Sequence, residues 1–326
     1  MRLVSTAAAT VLPLLALFAA GRALASDTPP RVVATIKPIH ALVAGVMAGV
    51  GAPVLLVEGQ ASPHSFALKP SGARAVADAD ILFRVSEVVE PFTVRLAESL
   101  ADKTKLVTLA EVSGVSLLER RFGATFEPHE HHRSNHDTAG PEAHEAAHHD
   151  HDHSNIDGHV WLDPGNAGAM VDAIVAALSR RDTARAVKYA ENGRALKVRL
   201  DTLAAEIERD LAPVRAKPFV VFHDAAQYFE RRFGLSAAGS LTVSPEVAPS
   251  ARRLSQVRAR ISALGARCVM ADPQSSPRLV AAVTEGTGAR TGVLDAEGAL
   301  VEPPGPDLYF ALMSGMAAAI KACLAD

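Results

Sequence analysis

The 326-residue chain is poor in cysteine and in aromatic residues, and it has little excess of charge. Its two cysteines are too few for a disulfide-rich scaffold or for a zinc site made of four cysteines. A net charge of −3 argues against a strongly basic nucleic-acid-binding protein. Aromatic residues make up only 5 % of the chain, so a surface that stacks bases or sugars is not expected. The 48 % of apolar residues predicts a globular protein with a sizeable core.

Only the N-terminus contains a long hydrophobic run. Residues 1–25 have no acidic residue and end in the small-x-small sequence Ala23–Ala25. This pattern predicts a secretory signal peptide that is cleaved after Ala25. A membrane anchor is the alternative, but the apolar run is short for one and Pro13 interrupts it. We therefore expect an exported, soluble protein of the periplasm.

Short apolar strands alternate with helical segments in both halves of the remaining chain, which predicts parallel sheets covered by helices. The predicted strands are Arg31–Ile36, Pro53–Val57, Asp80–Val85, Lys105–Leu109, Phe219–Phe222, Ser236–Leu241, Arg267–Ala271 and Arg290–Leu294. The predicted helices are Ser71–Ala79, Pro91–Ala101, Pro249–Leu264, Pro277–Gly286 and Asp307–Leu324.

A long helix is predicted between the two halves, over Asp182–Leu211. Its leucines and isoleucine recur at spacings that put them on one helical face, and Asp182 is a plausible N-cap. A rigid helix that links two lobes and a buried helix of one large domain are both consistent with this pattern. The predicted organisation is an α/β protein with a signal peptide (1–25), an N-terminal lobe (26–181), a linking helix (182–212) and a C-terminal lobe (213–326).

Residues 124–157 interrupt the N-terminal lobe with an acidic, histidine-rich segment that has almost no apolar residue to bury. This composition predicts a disordered surface loop. Nine of the 13 histidines lie in it, at His129, His131, His132, His136, His144, His148, His149, His151 and His153. Such a tract predicts weak binding of several Zn²⁺ ions, or of other borderline metals, without a fixed geometry. A solvated spacer is the alternative.

Four histidines lie outside this loop: His40, His64, His159 and His223. His64 and His223 follow predicted strands, where open α/β sheets bind their ligands. Three imidazoles with one further position suit tetrahedral Zn²⁺, whereas Ca²⁺ and Mg²⁺ prefer oxygen. The spacing of His64, His159 and His223 matches no local zinc motif, so spacing alone favours structural roles. His40 begins a predicted helix, and we interpret it as structural.

Several short motifs together resemble the zinc-specific solute-binding proteins of ABC transporters, the ZnuA type of the cluster A-I metal-binding family. They are Thr35–His40, Ser62–His64, Leu68–Ser71, Asp157–Pro164 and Val221–Asp224. The resemblance covers nearly all of the mature chain. It implies two lobes, a rigid linking helix and one metal in the cleft between the lobes.

The resemblance also implies the metal ligands His64, His159 and His223, with a histidine at position 223 typical of the zinc branch. The fourth position stays open to water, to Asp272 or to a histidine of the loop, and we favour water and Asp272 equally. Because three neutral imidazoles leave the charge of Zn²⁺ uncompensated, a nearby carboxylate or a bound hydroxide is favourable.

The two cysteines, Cys268 and Cys323, are predicted to form a disulfide. The expected oxidising compartment permits it, and proteins of the ZnuA type commonly carry such a bond in the C-terminal lobe. Two buried free thiols are the alternative.

These predictions combine into a periplasmic protein, most simply a monomer, that captures Zn²⁺ and delivers it to an ABC permease in the inner membrane. It is expected to bind no nucleic acid and to catalyse no reaction. A secreted zinc hydrolase is the alternative, because three histidines and a water also describe catalytic zinc. However, the one His-Glu-x-x-His sequence of the chain, His144–His148, lies in the segment predicted to be disordered, where no helix would place its two histidines on one face. An adhesive surface protein that happens to bind metal is a third possibility, although no attachment signal is visible.

Overall fold

The computed structural model describes residues 28–98, 100, 104–121, 155–242 and 249–325. The predicted signal peptide lies outside these residues. So does the predicted histidine-rich loop, apart from its last three residues, 155–157.

The first sheet is built from short, mostly buried β-branched and aliphatic runs. Its four parallel strands are β1 (Val32–Ala34), β2 (Val54–Leu55), β3 (Ile81–Arg84) and β4 (Lys105–Thr108), in the order β2-β1-β3-β4. The helices that connect them are α1 (Lys37–Val46), α2 (Pro70–Asp78) and α3 (Phe92–Glu98). In α1 and α2 a proline occupies the first turn, where its missing N–H costs no hydrogen bond.

The second sheet repeats this arrangement. Its parallel strands are β5 (Phe219–His223), β6 (Ala237–Thr242), β7 (Cys268–Ala271) and β8 (Arg290–Val293), in the order β6-β5-β7-β8. Its helices are α6 (Gln227–Phe233), α7 (Ala251–Leu264), α8 (Pro277–Thr284) and α9 (Leu308–Leu324). The prediction of two parallel sheets flanked by helices is confirmed.

The predicted disulfide is present between β7 and α9. It joins Cys268 to Cys323 across a sequence separation of 55 residues, and both residues are buried. Gly292 on β8 makes room for it, because a Cβ at that position would lie 2.9 Å from the sulfur of Met270 and 3.3 Å from the Cβ of Cys323.

Two consecutive helices connect the sheets, α4 (Pro164–Arg181) and α5 (Ala186–Leu211). At about 1.5 Å per residue, α5 is roughly 39 Å long, and it packs against α1, α4 and α9. The close contact with α4 requires a glycine, since a Cβ on Gly193 would lie 2.5 Å from Val175. The predicted long central helix is therefore confirmed.

The prediction that Asp182 caps this helix is wrong. Asp182 ends α4, because its N–H bonds to the carbonyl of Leu178, and a short 3₁₀ turn separates it from α5. Its carboxylate instead accepts hydrogen bonds from the Tyr189 hydroxyl at 2.9 Å and from Arg185 at 3.1 Å. Both bonds go to Oδ2, and the side chain makes no cap hydrogen bond to the turn that follows. The helix α4 itself was not predicted.

One hydrophobic cluster runs through both lobes. It contains residues from β1 and α1, from α4 and α5, and from β5 and α9, so the elements around α5 share a continuous core. Two smaller clusters cover the outer faces of the sheets. Within the described residues, no helix combines the length and the apolar character needed to cross a membrane.

Candidate metal centre

Three histidines that the sequence singled out converge between the two lobes. His64 lies in the loop after β2, His159 precedes the 3₁₀ turn Val160–Leu162 that leads into α4, and His223 is the last residue of β5. In each sheet the strand order reverses beside the strand that comes first in the sequence, between β1 and β3 and between β5 and β7. Ligands of open α/β folds bind at such switch points, beyond the carboxyl ends of the strands.

The three imidazoles are packed closely enough to hold one ion. Their ring centroids are 5.4 Å apart for His64 and His159, 5.5 Å for His64 and His223, and 5.1 Å for His159 and His223. One candidate ligand atom from each residue lies within 4.8 Å of the other two. Within the described ranges, this is the one group of three or more histidine, cysteine or acidic side chains with that geometry.

A carboxylate fixes the orientation of His159. Its Nδ1 lies 2.7 Å from Oδ1 of Asp157, which also accepts the backbone N–H of His159 at 3.0 Å. With Nδ1–H donating to Asp157, the lone pair of Nε2 points into the pocket. Nε2 of His159 and Nε2 of His64 have no hydrogen-bond partner in the part of the chain that the structure describes. A carboxylate behind a histidine is the usual support of a metal ligand.

Burial keeps two of the imidazoles neutral. Burial, with smaller contributions from His159 and Arg120, lowers the pKa of His64 to about 3. Burial also holds the pKa of His223 well below its ordinary value, again with a contribution from the neighbouring histidines. A neutral imidazole is the form that binds a metal, so the pocket favours metal binding at neutral pH.

An arginine joins the lobes beside the pocket. Arg121 of the N-terminal lobe pairs with Asp224, next to His223, and donates to both carboxylate oxygens of Glu230 at 2.8 and 2.9 Å. The neighbouring backbone is held as well, because the N–H of Arg120 bonds to the carbonyl of Asn155 at 2.9 Å. The described residues on either side of segment 122–154 are therefore held at the edge of the pocket.

One acidic residue at this site was not predicted from the sequence. Glu297 follows β8, and its Oε1 lies 4.0 Å from Nε2 of His64. It is the carboxylate that the uncompensated charge of a three-histidine site calls for. Glu297 lies just beyond the carboxyl end of a strand, as His64 and His223 do, so the same sequence signal would have found it.

Asp272 and His40 lie outside the group of three. Asp272 lines a neighbouring small cavity with His223 and Glu297, and burial raises its pKa to about 7. His40 is buried in α1, where its Nε2 lies 3.1 Å from the carbonyl of Pro53. The nine histidines between His129 and His153 lie outside the described residues.

Residues 32–323 match the model of a protein family that is described as ZnuA, the periplasmic component A of a zinc-uptake complex. The chain belongs to the ZnuA family. It is 42 % identical over 305 residues to the high-affinity zinc uptake system protein ZnuA of Brucella abortus, which covers 90 % of this chain and 91 % of the relative. It is 38 % identical over 318 residues to the protein of the same name from Paracoccus denitrificans, covering 90 % and 92 %.

The fold agrees with a solved ZnuA structure. A crystal structure of ZnuA matches this one with a TM-score of 0.72 and 21 % sequence identity, covering 91 % of this chain and 100 % of that one. At 21 % sequence identity, the similarity of the two structures shows that they share a fold. Membership of ZnuA makes the chain a periplasmic component of zinc uptake, and the hydrolase alternative is not supported.

Proposed function

We propose that this ZnuA-family protein binds one Zn²⁺ ion through His64, His159 and His223 and delivers it to an ABC permease in the inner membrane. The main support is the convergence of three imidazoles with ligand atoms within 4.8 Å of one another. Nitrogens bound to one tetrahedral zinc are about 3.3 Å apart, given Zn–N distances of 2.0–2.1 Å. A small inward movement of the rings is therefore enough to bind the ion.

The fourth position is proposed for an oxygen ligand, either a water molecule or Asp272. Glu297 supports the water, since its carboxylate is 4.0 Å from His64 and can accept a hydrogen bond from a zinc-bound water. A negative charge at that distance also offsets the charge of the ion, which three neutral imidazoles do not.

The proposed function extends to the organisation of the whole chain. We propose that residues 1–25 are removed on export, that lobes 26–181 and 213–326 enclose the ion, and that residues 182–212 link them. The protein acts as a monomer, because the proposed ligands all come from one chain. Light scattering at micromolar concentration checks this last point, and a dimer mass would contradict it.

We propose that the histidine-rich segment collects zinc for the pocket. Nine imidazoles between residues 129 and 153 form a weak, multivalent binder. The described residues on either side of it are held at the edge of the pocket by Arg120 and Arg121. Zinc bound by the segment is therefore kept near His159.

Deleting residues 129–153 should remove the weak zinc sites and leave one tight site. The proposed ligands lie outside the deletion, and the Arg120–Asn155 hydrogen bond joins the described residues on either side of the segment. Titration of the metal-free variant with Zn²⁺ measures the number of sites, and X-ray absorption of the loaded variant measures the ligands. We expect three imidazole nitrogens and one oxygen. Loss of the tight site would mean that a histidine of the segment is a ligand.

Zinc affinity should depend only weakly on pH in the same deletion variant. Binding requires neutral imidazole, and the lowered pKa values of His64 and His223 keep both rings neutral well below pH 6.5. Each competing proton contributes a factor of about 10 per pH unit, so three histidines with ordinary pKa values would lose affinity about a thousandfold per unit below pH 6. We expect a loss no steeper than about tenfold per unit between about pH 6 and pH 5. A loss near a thousandfold in a competition titration would contradict the burial of the site.

A further inference from the structure

Lys37 is a buried lysine that the metal site does not account for. It is the first residue of α1, and its side chain is only 4 % exposed. A buried ammonium is costly, and the positive end of a helix dipole makes this position less favourable still. Such a residue needs specific partners.

All three partners of Lys37 lie on one loop of the other lobe. Its Nζ donates to the carbonyls of Gly298 at 3.1 Å and Val301 at 3.3 Å, and to Oε1 of Glu302 at 2.6 Å. These bonds use the full donor capacity of the ammonium group. Lys37 therefore ties the start of α1 to residues 298–302, which follow β8.

The same loop carries Glu297, and its backbone is held on both sides of that residue. Before Glu297, the carbonyl of Ala296 accepts the indole N–H of Trp161 at 2.9 Å. After it, the carbonyl of Gly298 accepts from Lys37. Gly298 has a φ of 74°, and a Cβ there would lie 3.1 Å from Leu308, so the turn requires glycine.

We propose that Lys37 is a positioning residue for zinc retention: it holds the loop that places the Glu297 carboxylate beside His64. Two residues of the N-terminal lobe, Trp161 and Lys37, fix the peptide groups that flank Glu297. This inference rests on the proposed zinc site. Lys37 affects zinc retention through the position of the Glu297 carboxylate and not through the overall stability of the protein.

A double-mutant cycle on the full-length protein tests this role. The protein is loaded with Zn²⁺, an excess of chelator is added, and the slow phase of zinc loss reports the tight site. We expect Lys37→Met to accelerate this phase about tenfold, the lower end of the effect of removing a residue that supports a metal site. In a Glu297→Gln background, which should itself be faster than wild type, Lys37→Met should change the rate less than about twofold.

The control is Lys197→Met, which removes an exposed lysine that pairs with Asp172 at 2.6 Å, and it should leave the rate unchanged. Glu302→Gln is the second variant if Lys37→Met folds poorly, because Glu302 is half exposed and only the charged partner of Lys37 is altered. It should accelerate zinc loss in the wild-type background and not in the Glu297→Gln background.

Three results would overturn the inference. The first is an unchanged rate of zinc loss in Lys37→Met, or in Glu302→Gln if Lys37→Met folds poorly. The other two are an equal acceleration in both backgrounds and no effect of Glu297→Gln. A wild-type protein with no slow phase would instead count against the proposed zinc site itself, so the two failures are distinguishable.

Discussion

Replacing His223 by alanine should lower zinc affinity by roughly two to three orders of magnitude. Zinc sites in proteins have apparent binding free energies of about 10–16 kcal/mol, so one of four ligands accounts for roughly 2.5–4 kcal/mol. Each 1.4 kcal/mol is a factor of about ten in affinity. The measurement is a competition titration of the metal-free protein against a chelator of known affinity.

His40→Gln is the matched control for this prediction. His40 is a buried histidine outside the group of three, and a glutamine amide can replace its contact with the carbonyl of Pro53. Its zinc affinity should equal that of the wild type. If His223→Ala retained affinity within tenfold of the wild type, the ion would not be bound by His223.

Removing the disulfide with Cys268→Ala and Cys323→Ala should lower the free energy of unfolding by about 4 kcal/mol. The estimate comes from the chain-entropy model for a loop closed over a sequence separation of 55 residues. For a chain of this size it corresponds to a fall in Tm of about 6 °C. Zinc affinity should stay within about threefold, because neither cysteine lines the pocket of the three histidines.

Calorimetry of the metal-free variants measures the effect of the disulfide. Each single alanine variant already breaks the cross-link, so each should be destabilised about as much as the double variant. Additive effects of the two single substitutions would show instead that the buried sulfurs contribute through packing against Met270 and Gly292.

The sequence predicted the elements whose signal is local. The strands are short apolar runs such as Phe219–His223, and the position of His223 at the end of such a run was enough to place it near a ligand site. Helix α4 also carried local signals, Asp163 as N-cap and Pro164 in the first turn. It was missed because its two early glycines, Gly165 and Gly168, weaken the helical pattern.

Features that depend on distant partners could not be read from the sequence. The partners of Lys37 are more than 260 residues away along the chain, with separations of 261 to 265 residues, and no periodicity links them. The same holds for Arg121 and its carboxylates, Asp224 and Glu230, which become neighbours only when the lobes pack. Asp182 was assigned as a cap because its side chain suits one, but its partner Tyr189 is set by the packing of α5.

The continuous core around α5 bears on how the protein can give up its cargo. Swinging the lobes apart as two rigid halves would expose side chains such as Leu196, Leu200 and Leu203, at a cost of about 1.5–3 kcal/mol each. The links across the pocket are polar instead, chiefly Arg121 with its carboxylates and Lys37 with residues 298–302. The core around α5 is therefore expected to stay rigid, while the loops around the pocket are expected to move. A docked permease would need to displace only these polar links to loosen the ion, while the core around α5 keeps its structure for the next cycle of loading.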